Sequence, residues 1–514
     1  MLKRWFKASL KVLAALAILL LLFLVVERVR GQVSLARYKK ALVAKGEKLT
    51  ARELRSSFPD GENGAPAVLD AIKRLSNGVV LPKNYPPRMK LMPSGRAVVC
   101  FREPEWVEGK QTNRWDQLAT DLKTNEMVLA EIRAGLERPV LNNGVYLSLG
   151  AQVKIPHLSP AKSVTYWLGS GCQLALHAGN THAALPNLLT QIRLPRLLAE
   201  DRLLISELVR IAIGAIAKVD TWEALQADGW TDEDLAGIQS AWKEQDFITG
   251  MAHSLEGECI YMAAAFDMVR QSNDEAVGLL FGLEEFLSVE DSTRPAWEKL
   301  TRSLPFGEQI ADLLKKQVYC RVWRFAWSHQ DQLRNLQNTQ RLIELTRRAA
   351  AETSFASVHE AFAQIEAAST NRTVYDRLRF PDPLAETSFS LSRSVSKALR
   401  AETDRSLTIC AIALKRYSLK HGQLPASLNA LVPEFVSAVP VDYMDGKPLR
   451  YRLNADGGFT LYSVGENLAD DGGDASALPD HAGSRNLWFK KDYIWPAPAT
   501  PDEVAAYREE ARKS

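Results

Sequence analysis

The chain has 514 residues, enough for roughly two to four domains, and its 46% hydrophobic and 24% charged residues are ordinary for a globular protein. The formal net charge of +3 argues neither for nor against nucleic-acid binding, and no other feature leads us to expect a nucleic-acid partner. An odd number of widely spaced cysteines without a Cys-x-x-Cys pair excludes a zinc ribbon and a disulfide scaffold. These cysteines are Cys100, Cys172, Cys259, Cys320 and Cys410.

Residues 1–30 have the pattern of a signal anchor, a transmembrane helix that is not cleaved. Basic residues precede fifteen uninterrupted apolar residues, Val12–Val26. A span needs about 20 residues, and counting from Ala8, with Lys11 reaching back to the interface, extends the run to nineteen. A cleaved signal peptide is the alternative, but no small-x-small site follows Val26. We therefore expect the protein to contact the membrane through residues 8–26.

Basic residues lie on both sides of the apolar run, so the charge rule leaves the orientation open. A basic start, a single span and a long following chain favour an N-terminus inside. The expectation is a single-pass protein of the inner (cytoplasmic) membrane with its bulk in the periplasm.

Residues 31–112 begin with a charged helical stretch, 32–57, that is interrupted at Gly46. Five prolines between residues 76 and 105 predict irregular structure there. The run Ala97–Phe101 predicts one short strand.

Residues 113–375 have helical periodicity almost throughout and predict a large domain of helical hairpins. Trp115–Glu137 is predicted as one helix, and Ser163–His177 and Thr181–Leu198 as a pair. Thr231 with Asp234 forms a capping box that begins another helix. Further helices are predicted at 247–270, 275–288, 307–327, 331–351 and 355–368. Residues 376–394, with two prolines, are predicted as a linker.

Residues 395–492 predict a small α+β module. A helix from Val395 to Lys420 ends at Gly422, which is free to adopt a positive φ. Leu449–Leu453 and Phe459–Val464 alternate in polarity around Asp456-Gly457-Gly458, which predicts an antiparallel hairpin. Residues 493–514 are predicted as a tail, and the fold class is mainly α.

The succession G-Q-L-P-A-S-L, V-P-V-D, D-G-K-P-L-R-Y, G-G-F-T-L-Y-S-V-G and D-D-G-G within residues 422–473 resembles the globular head of the major pseudopilin of type II secretion. The resemblance covers about residues 395–480, under a fifth of the chain. It implies a calcium-binding loop at Gly465–Asp474, with Asp470, Asp471 and Asp474 as oxygen ligands. The alternative is that this Asp- and Gly-rich segment is a solvated turn.

The chain also departs from that family. A pseudopilin head directly follows its membrane helix, whereas about 370 residues intervene here. The family's aspartate-proline is Asp442-Tyr443 in this chain. The whole arrangement is similar to that of membrane-anchored proteins of planctomycete and verrucomicrobial type, with Ala44–Leu49 and Leu203–Ile213 as matching stretches. This second resemblance implies no activity.

Motifs that would carry a reaction are not found. The sequence contains no Gly-x-Ser-x-Gly elbow, P-loop or His-Glu-x-x-His. Gly169–Cys172 is glycine-rich but predicts a close helix contact, and His177 and His182 have the wrong spacing for a helical metal pair. On the helix 307–327, basic and aromatic residues alternate. There we expect Val322, Phe325 and Ala326 to point inward and the arginines to lie in water, with headgroup or nucleic-acid contact as the alternative.

The function hypothesis is a membrane-anchored envelope protein that binds or scaffolds a protein partner. Fold-level analogy to the pseudopilin head would place it near the secretion machinery. Whether it is an enzyme stays open, with the balance against. One alternative is an envelope hydrolase whose site is assembled from distant residues, which predicts a pocket where a histidine meets a serine or carboxylates of shifted pKa. Another is a calcium-stabilised module of adhesion type.

Overall fold

The structure, a computed structural model, describes residues 2–55, 58–59, 61–92, 95–108, 111–281, 306–370, 373–379, 382–482 and 484–513. The chain is mainly helical, with an N-terminal apolar helix and small sheets, as the sequence predicted. The α-helices are α1 (Leu2–Ala44), α2 (Ala51–Leu54), α3 (Ala65–Lys73), α4 (Trp115–Thr124), α5 (Glu126–Leu136), α6 (Leu158–His177), α7 (Thr181–Arg193), α8 (Leu204–Leu225), α9 (Asp232–Lys243), α10 (Phe247–Gln271), α11 (Asn273–Phe281), α12 (Gly307–Leu313), α13 (Cys320–Ala326), α14 (Ser328–Glu352), α15 (Ala356–Thr370), α16 (Val374–Arg379), α17 (Asp382–His421) and α18 (Pro501–Lys513).

The strands are β1 (Lys90–Leu91), β2 (Arg96–Val98), β3 (Glu105–Glu108), β4 (Gln111–Arg114), β5 (Arg450–Leu453), β6 (Phe459–Ser463), β7 (Tyr493–Ile494) and β8 (Ala497–Pro498). Short 3₁₀ turns lie at Cys100–Arg102, Leu147–Gln152, Leu194–Asp201, Leu428–Leu431, Pro479–His481 and Leu487–Phe489, and one π-helical turn spans Leu314–Tyr319. The predicted helix at 275–288 is described only to Phe281, and the rest of that prediction lies outside the described residues.

Helix α1 has two halves with different surroundings. Its first half is apolar and exposed, and among the described residues it is the one helix long and apolar enough to cross a membrane. From Glu27 onward one face is buried against α14, with Leu35 and Leu42 in the core. A Cβ on Gly31 would lie 2.9 Å from Gln330 Cγ, so glycine permits the close approach of the two helices. The two halves form one continuous helix.

One hydrophobic cluster extends through most of the described chain. It joins Leu35 of α1 to Met251 of α10, Leu407 of α17 and Leu461 of β6. A second cluster lies between α3, α5 and α6, and a third joins α10, α11 and α13. The helical region and the C-terminal hairpin therefore share one core, and the burial of that core holds them together.

Two helices differ from the prediction for reasons of tertiary contact. Trp115–Glu137 is divided at Asn125, because its side-chain amide exchanges hydrogen bonds of 2.7 and 3.0 Å with the backbone of Ser76. The helix predicted from Val395 begins at Asp382, so most of the predicted linker is helical. Pro383 stands at the second position of that helix, where its missing N–H costs nothing.

The predicted hairpin forms as β5 and β6, which pair antiparallel with Tyr451 opposite Leu461. Residues 493–498, which the sequence assigned to a tail, contribute two strands instead. Strand β7 pairs with β6, and β8 pairs parallel with β2, so that Arg96 lies opposite Ala497. This last pairing joins residues about 400 positions apart, which no local pattern reveals.

Candidate functional site

The Asp-rich loop at 465–474 lies beside the hairpin, and its carboxylates already have partners in the protein. Asp470 accepts a hydrogen bond of 2.9 Å from the Tyr462 hydroxyl and lies 3.5 Å from Arg450 Nε. Asp471 accepts one of 2.9 Å from the Asn467 amide. Asp474 accepts from Lys491 Nζ at 2.9 Å, which lowers the pKa of that carboxyl to about 2. The positive charges next to these carboxylates are therefore the protein's own side chains, Arg450 and Lys491.

A carboxylate that the sequence did not single out organises the same loop. Asp492 is buried and accepts backbone hydrogen bonds from residues 471, 473 and 474, at 3.3, 2.7 and 3.1 Å. Burial raises the pKa of this carboxyl. The loop thus turns several N–H groups toward an anion.

This arrangement does not fit a calcium ion as it stands. Calcium needs six to eight oxygen ligands, and among the residues that the structure describes no group of three or more His, Cys, Asp or Glu side chains is placed to hold a metal. Asp470, Asp471 and Asp474 would first have to leave the partners they have. Calcium binding here stays a prediction from the resemblance.

Asp442, which the sequence noted only as a departure from the pseudopilin pattern, is a structural centre of the module. Its buried carboxylate accepts hydrogen bonds from Ser463 Oγ at 2.8 Å and from the backbone of Val464 at 2.9 Å, and it meets Arg450 Nη1 at 3.1 Å. The Asp442 carboxylate thus links the segment before β5 to the end of β6, and these partners occupy both of its oxygens.

An open cleft of about 1230 Å³ lies on one side of the helical region. Its walls come from α2, α3, the loop after α5 and the turn before α8. The lining residues are Ala51, Arg52, Leu54, Arg55, Phe58, Asn63, Pro66, Leu69, Asp70, Lys73, Asn142–Ser148 and Glu200–Arg202. Arg52, Arg55 and Lys73 are exposed at its rim and have no carboxylate partner among the described residues. The lining also includes the acidic residues Asp70, Glu200 and Asp201, of which Asp70 pairs with Arg74 at 3.6 Å and Asp201 with His157 at 2.7 Å.

One buried group of side chains at this cleft contains the residue types of a catalytic triad, but they contact one another in a different order. Asp201 Oδ2 meets His157 Nε2 at 2.7 Å and accepts from Ser206 Oγ at 2.7 Å, and Asn143 donates to the other oxygen at 2.9 Å. In a serine hydrolase the histidine stands between the serine and the aspartate. Here the aspartate stands in the middle, so the ring of His157 does not take the proton from Ser206.

A smaller pocket of about 310 Å³ lies between α8, α17 and the turn before β7. Its walls are mainly apolar, with Trp242, Phe247 and Trp488 among them. The polar groups at its end satisfy one another, because Lys218 Nζ donates to Asp404 at 2.9 Å and the Tyr493 hydroxyl bonds both. This network links three segments of the fold.

Other sequence candidates are structural. A Cβ on Gly169 would lie 2.3 Å from Asp220 Oδ2, so this glycine is the close helix contact that the sequence predicted. His177 hydrogen-bonds the Phe101 carbonyl at 2.7 Å and stacks on Trp115. On α13 the expected orientation is wrong in part: Ala326 is buried and Arg321 is exposed, as predicted, but Phe325 is 41% exposed and Trp323 is buried instead. Sequence reasoning missed the cleft, because its walls come from four separated segments.

No protein-family model, curated protein or solved structure matches this chain.

Proposed function

We propose that the protein is a single-pass, membrane-anchored binding protein of the cell envelope, which holds a protein partner at a fixed distance from the inner membrane on the periplasmic side. The observation that supports this proposal is the continuity of α1. Its exposed apolar half and the half that packs one face against α14 form one helix from Leu2 to Ala44. An anchor joined by a flexible linker would let the domain swing, whereas this helix restricts its orientation.

The contacts at the transition between the halves support the same reading. Glu27 is buried, and Gln330 Nε2 donates to its carboxylate at 2.7 Å and to its carbonyl at 2.9 Å. The Tyr375 hydroxyl donates to the same carboxylate at 3.2 Å. The packed half, residues 27–44, is about 27 Å long at 1.5 Å per residue. Helix α2, one wall of the cleft, begins soon after its far end.

The cleft is the docking surface of this proposal, and an acidic, extended protein segment is its occupant. Three cations at the rim, which have no carboxylate partner in the part of the chain that the structure describes, complement a negative ligand, and Tyr146, 57% exposed, offers an aromatic contact. The volume of about 1230 Å³ suits a peptide segment better than a metabolite.

The test uses the full chain in nanodiscs of zwitterionic lipid and a fluorescein-labelled decaglutamate peptide, followed by fluorescence anisotropy. We expect saturable binding that weakens about five- to tenfold in Arg52→Gln/Arg55→Gln/Lys73→Gln, since exposed ion pairs contribute about 0.2–1 kcal/mol each. The matched control Lys123→Gln/Lys162→Gln/Lys243→Gln removes equal charge at exposed positions outside the cleft. Equal weakening by both sets of substitutions would mean that only net charge matters, and it would reject the cleft as the binding site of the peptide.

Anchoring is tested separately by carbonate extraction of cell membranes. We expect the full chain to stay in the membrane pellet, and release into the supernatant would reject the anchor. The group of Ser206, Asp201 and His157 gives no support to the hydrolase alternative, because the aspartate lies between the other two side chains. The adhesion-type alternative depends on calcium and predicts that calcium raises the melting temperature.

A further inference from the structure

The segment from Phe306 to Phe325 carries large apolar side chains on its outer surface. Phe306 is 78% exposed and Leu313 61% exposed, and Ile310, Val318 and Phe325 are exposed as well. Single exposed apolar residues are common, but five on one short segment form a patch that suggests a partner.

The helical geometry aligns most of these side chains in one stripe. Ile310 and Leu313 lie three positions apart in α12, and an uninterrupted α-helix would continue the stripe at residue 317, a glutamine. The π-helical turn at Leu314–Tyr319 adds one residue, because its hydrogen bonds span five residues. The stripe therefore continues at Val318 and, two turns later, at Phe325.

The opposite face of the segment is already satisfied within the protein. Cys320, Trp323 and Ala326 are fully buried against Phe266 of α10 and Leu280 of α11. Trp323 Nε1 also donates to Asp331 at 2.6 Å. Packing inside the described chain thus accounts for the inner face and leaves the outer stripe without an occupant.

The stripe lies beside the point where α1 changes from exposed to buried. Arg28 Nη1 donates to the Phe325 carbonyl at 3.1 Å, and its guanidinium lies 4.9 Å from the centre of the Phe325 ring. Leu24, still within the apolar run, packs against the cluster that contains Trp323. The Phe325 end of the outer stripe is therefore at the level where the anchor would leave the lipid.

We propose that residues 306–325 form a second membrane contact, an interfacial helix pair that lies in the lipid headgroup region beside the anchor. Apolar side chains on one face with basic residues next to them are the pattern of interfacial helices. Arg321 is exposed and bonds only Gln317 among the described residues, so its charge is available to a phosphate. This inference rests on the proposed membrane anchor. It adds that the domain contacts the surface of the bilayer through the outer stripe of residues 306–325.

The experiment places a nitroxide label at Leu313→Cys and, in a second variant, at Val318→Cys in the full chain in lipid nanodiscs. Accessibility to oxygen, which concentrates in lipid, is compared with accessibility to a water-soluble nickel chelate. All five native cysteines are buried, and the unsubstituted chain treated with the label is the blank. Both substitutions are at exposed positions, so folding is preserved.

Two reference labels separate this inference from the anchor itself. Leu16→Cys lies in the apolar run, and Met127→Cys, 79% exposed on α5, reports the aqueous phase. We expect Leu313 and Val318 to favour oxygen over nickel, between the two references. If Leu16 reports lipid while Leu313 and Val318 match Met127, the second contact is refuted and the anchor stands. Low access to both reagents would show that another protein or a second copy covers the stripe, which also refutes it. An aqueous Leu16 would refute the anchor.

Discussion

Glu223 couples the stability of the fold to pH. Its carboxylate is fully buried on α8 and accepts hydrogen bonds from the backbone of Met89 at 2.6 Å and of Cys100 at 3.0 Å. These bonds hold the segment that contains β1 and β2 against the helices. Burial raises the pKa of this carboxyl from the ordinary 4.5 to about 7.

The direction of the effect follows from linkage. Because the folded state binds the Glu223 proton more tightly than the unfolded state, the stabilisation is complete below a pH of about 4.5 and is lost as the pH rises to about 7. A difference of between two and three pKa units corresponds to about 3 kcal/mol of unfolding free energy, at about 1.4 kcal/mol per unit. Glu223→Gln keeps a carbonyl oxygen for these backbone donors and removes the titration.

The assay is urea unfolding followed by tryptophan fluorescence, at several pH values from about 5 to 8, on the full chain in detergent micelles. We expect the unfolding free energy of the unsubstituted chain to fall over this range and that of Glu223→Gln to fall by about 2 kcal/mol less. Glu108→Gln, at an exposed position on β3, is the control and keeps the slope. An unchanged slope in Glu223→Gln would show that this carboxyl does not carry the pH dependence.

Three further predictions concern the anchor and the C-terminal loop. Gly31→Leu forces a side chain into α14, and we expect a loss of about 1–3 kcal/mol from overpacking, seen as a lower melting temperature, whereas Gly237→Leu meets open space and changes little. Asp492→Ala leaves three backbone donors of the loop without their acceptor, and we expect a loss of about 3 kcal/mol in urea unfolding with faster hydrogen exchange of those amides. Asp480→Ala, at an exposed position, is its control, and equal effects of the two would contradict the role of Asp492. The pseudopilin resemblance predicts that calcium raises the melting temperature relative to excess chelator and that Asp470→Ala/Asp471→Ala abolishes the rise. An unchanged melting temperature would show that calcium does not stabilise the loop and that internal hydrogen bonds hold it.

Local signals in the sequence predicted much of the secondary structure. The run Val12–Val26, the capping box at Thr231 and the hairpin around Asp456-Gly457-Gly458 each involve residues within a few positions of one another. Hydrophobic periodicity and turn chemistry act over that range, so these elements are readable without a tertiary structure. The mainly helical fold class follows from the same periodicity.

Residue orientation and the sites depended on tertiary contacts. The helix at 307–327 was predicted, but only the π-helical turn and the packing of Trp323 on Phe266 decide that Phe325 faces outward. The assignment of Asp470, Asp471 and Asp474 to a metal came from a motif, and the motif did not include Asp492 about twenty residues later.

Sequence alone thus determined which segments are helices, which run is apolar enough to cross a membrane, and where the hairpin turns. The tertiary structure decided that α1 continues from that run into the core, that β8 pairs with β2 across about 400 residues, and that four separate segments enclose the cleft. The physical reason is one of range. Backbone propensity is set by near neighbours, whereas burial and charge pairing are set by groups that only the folded chain brings together.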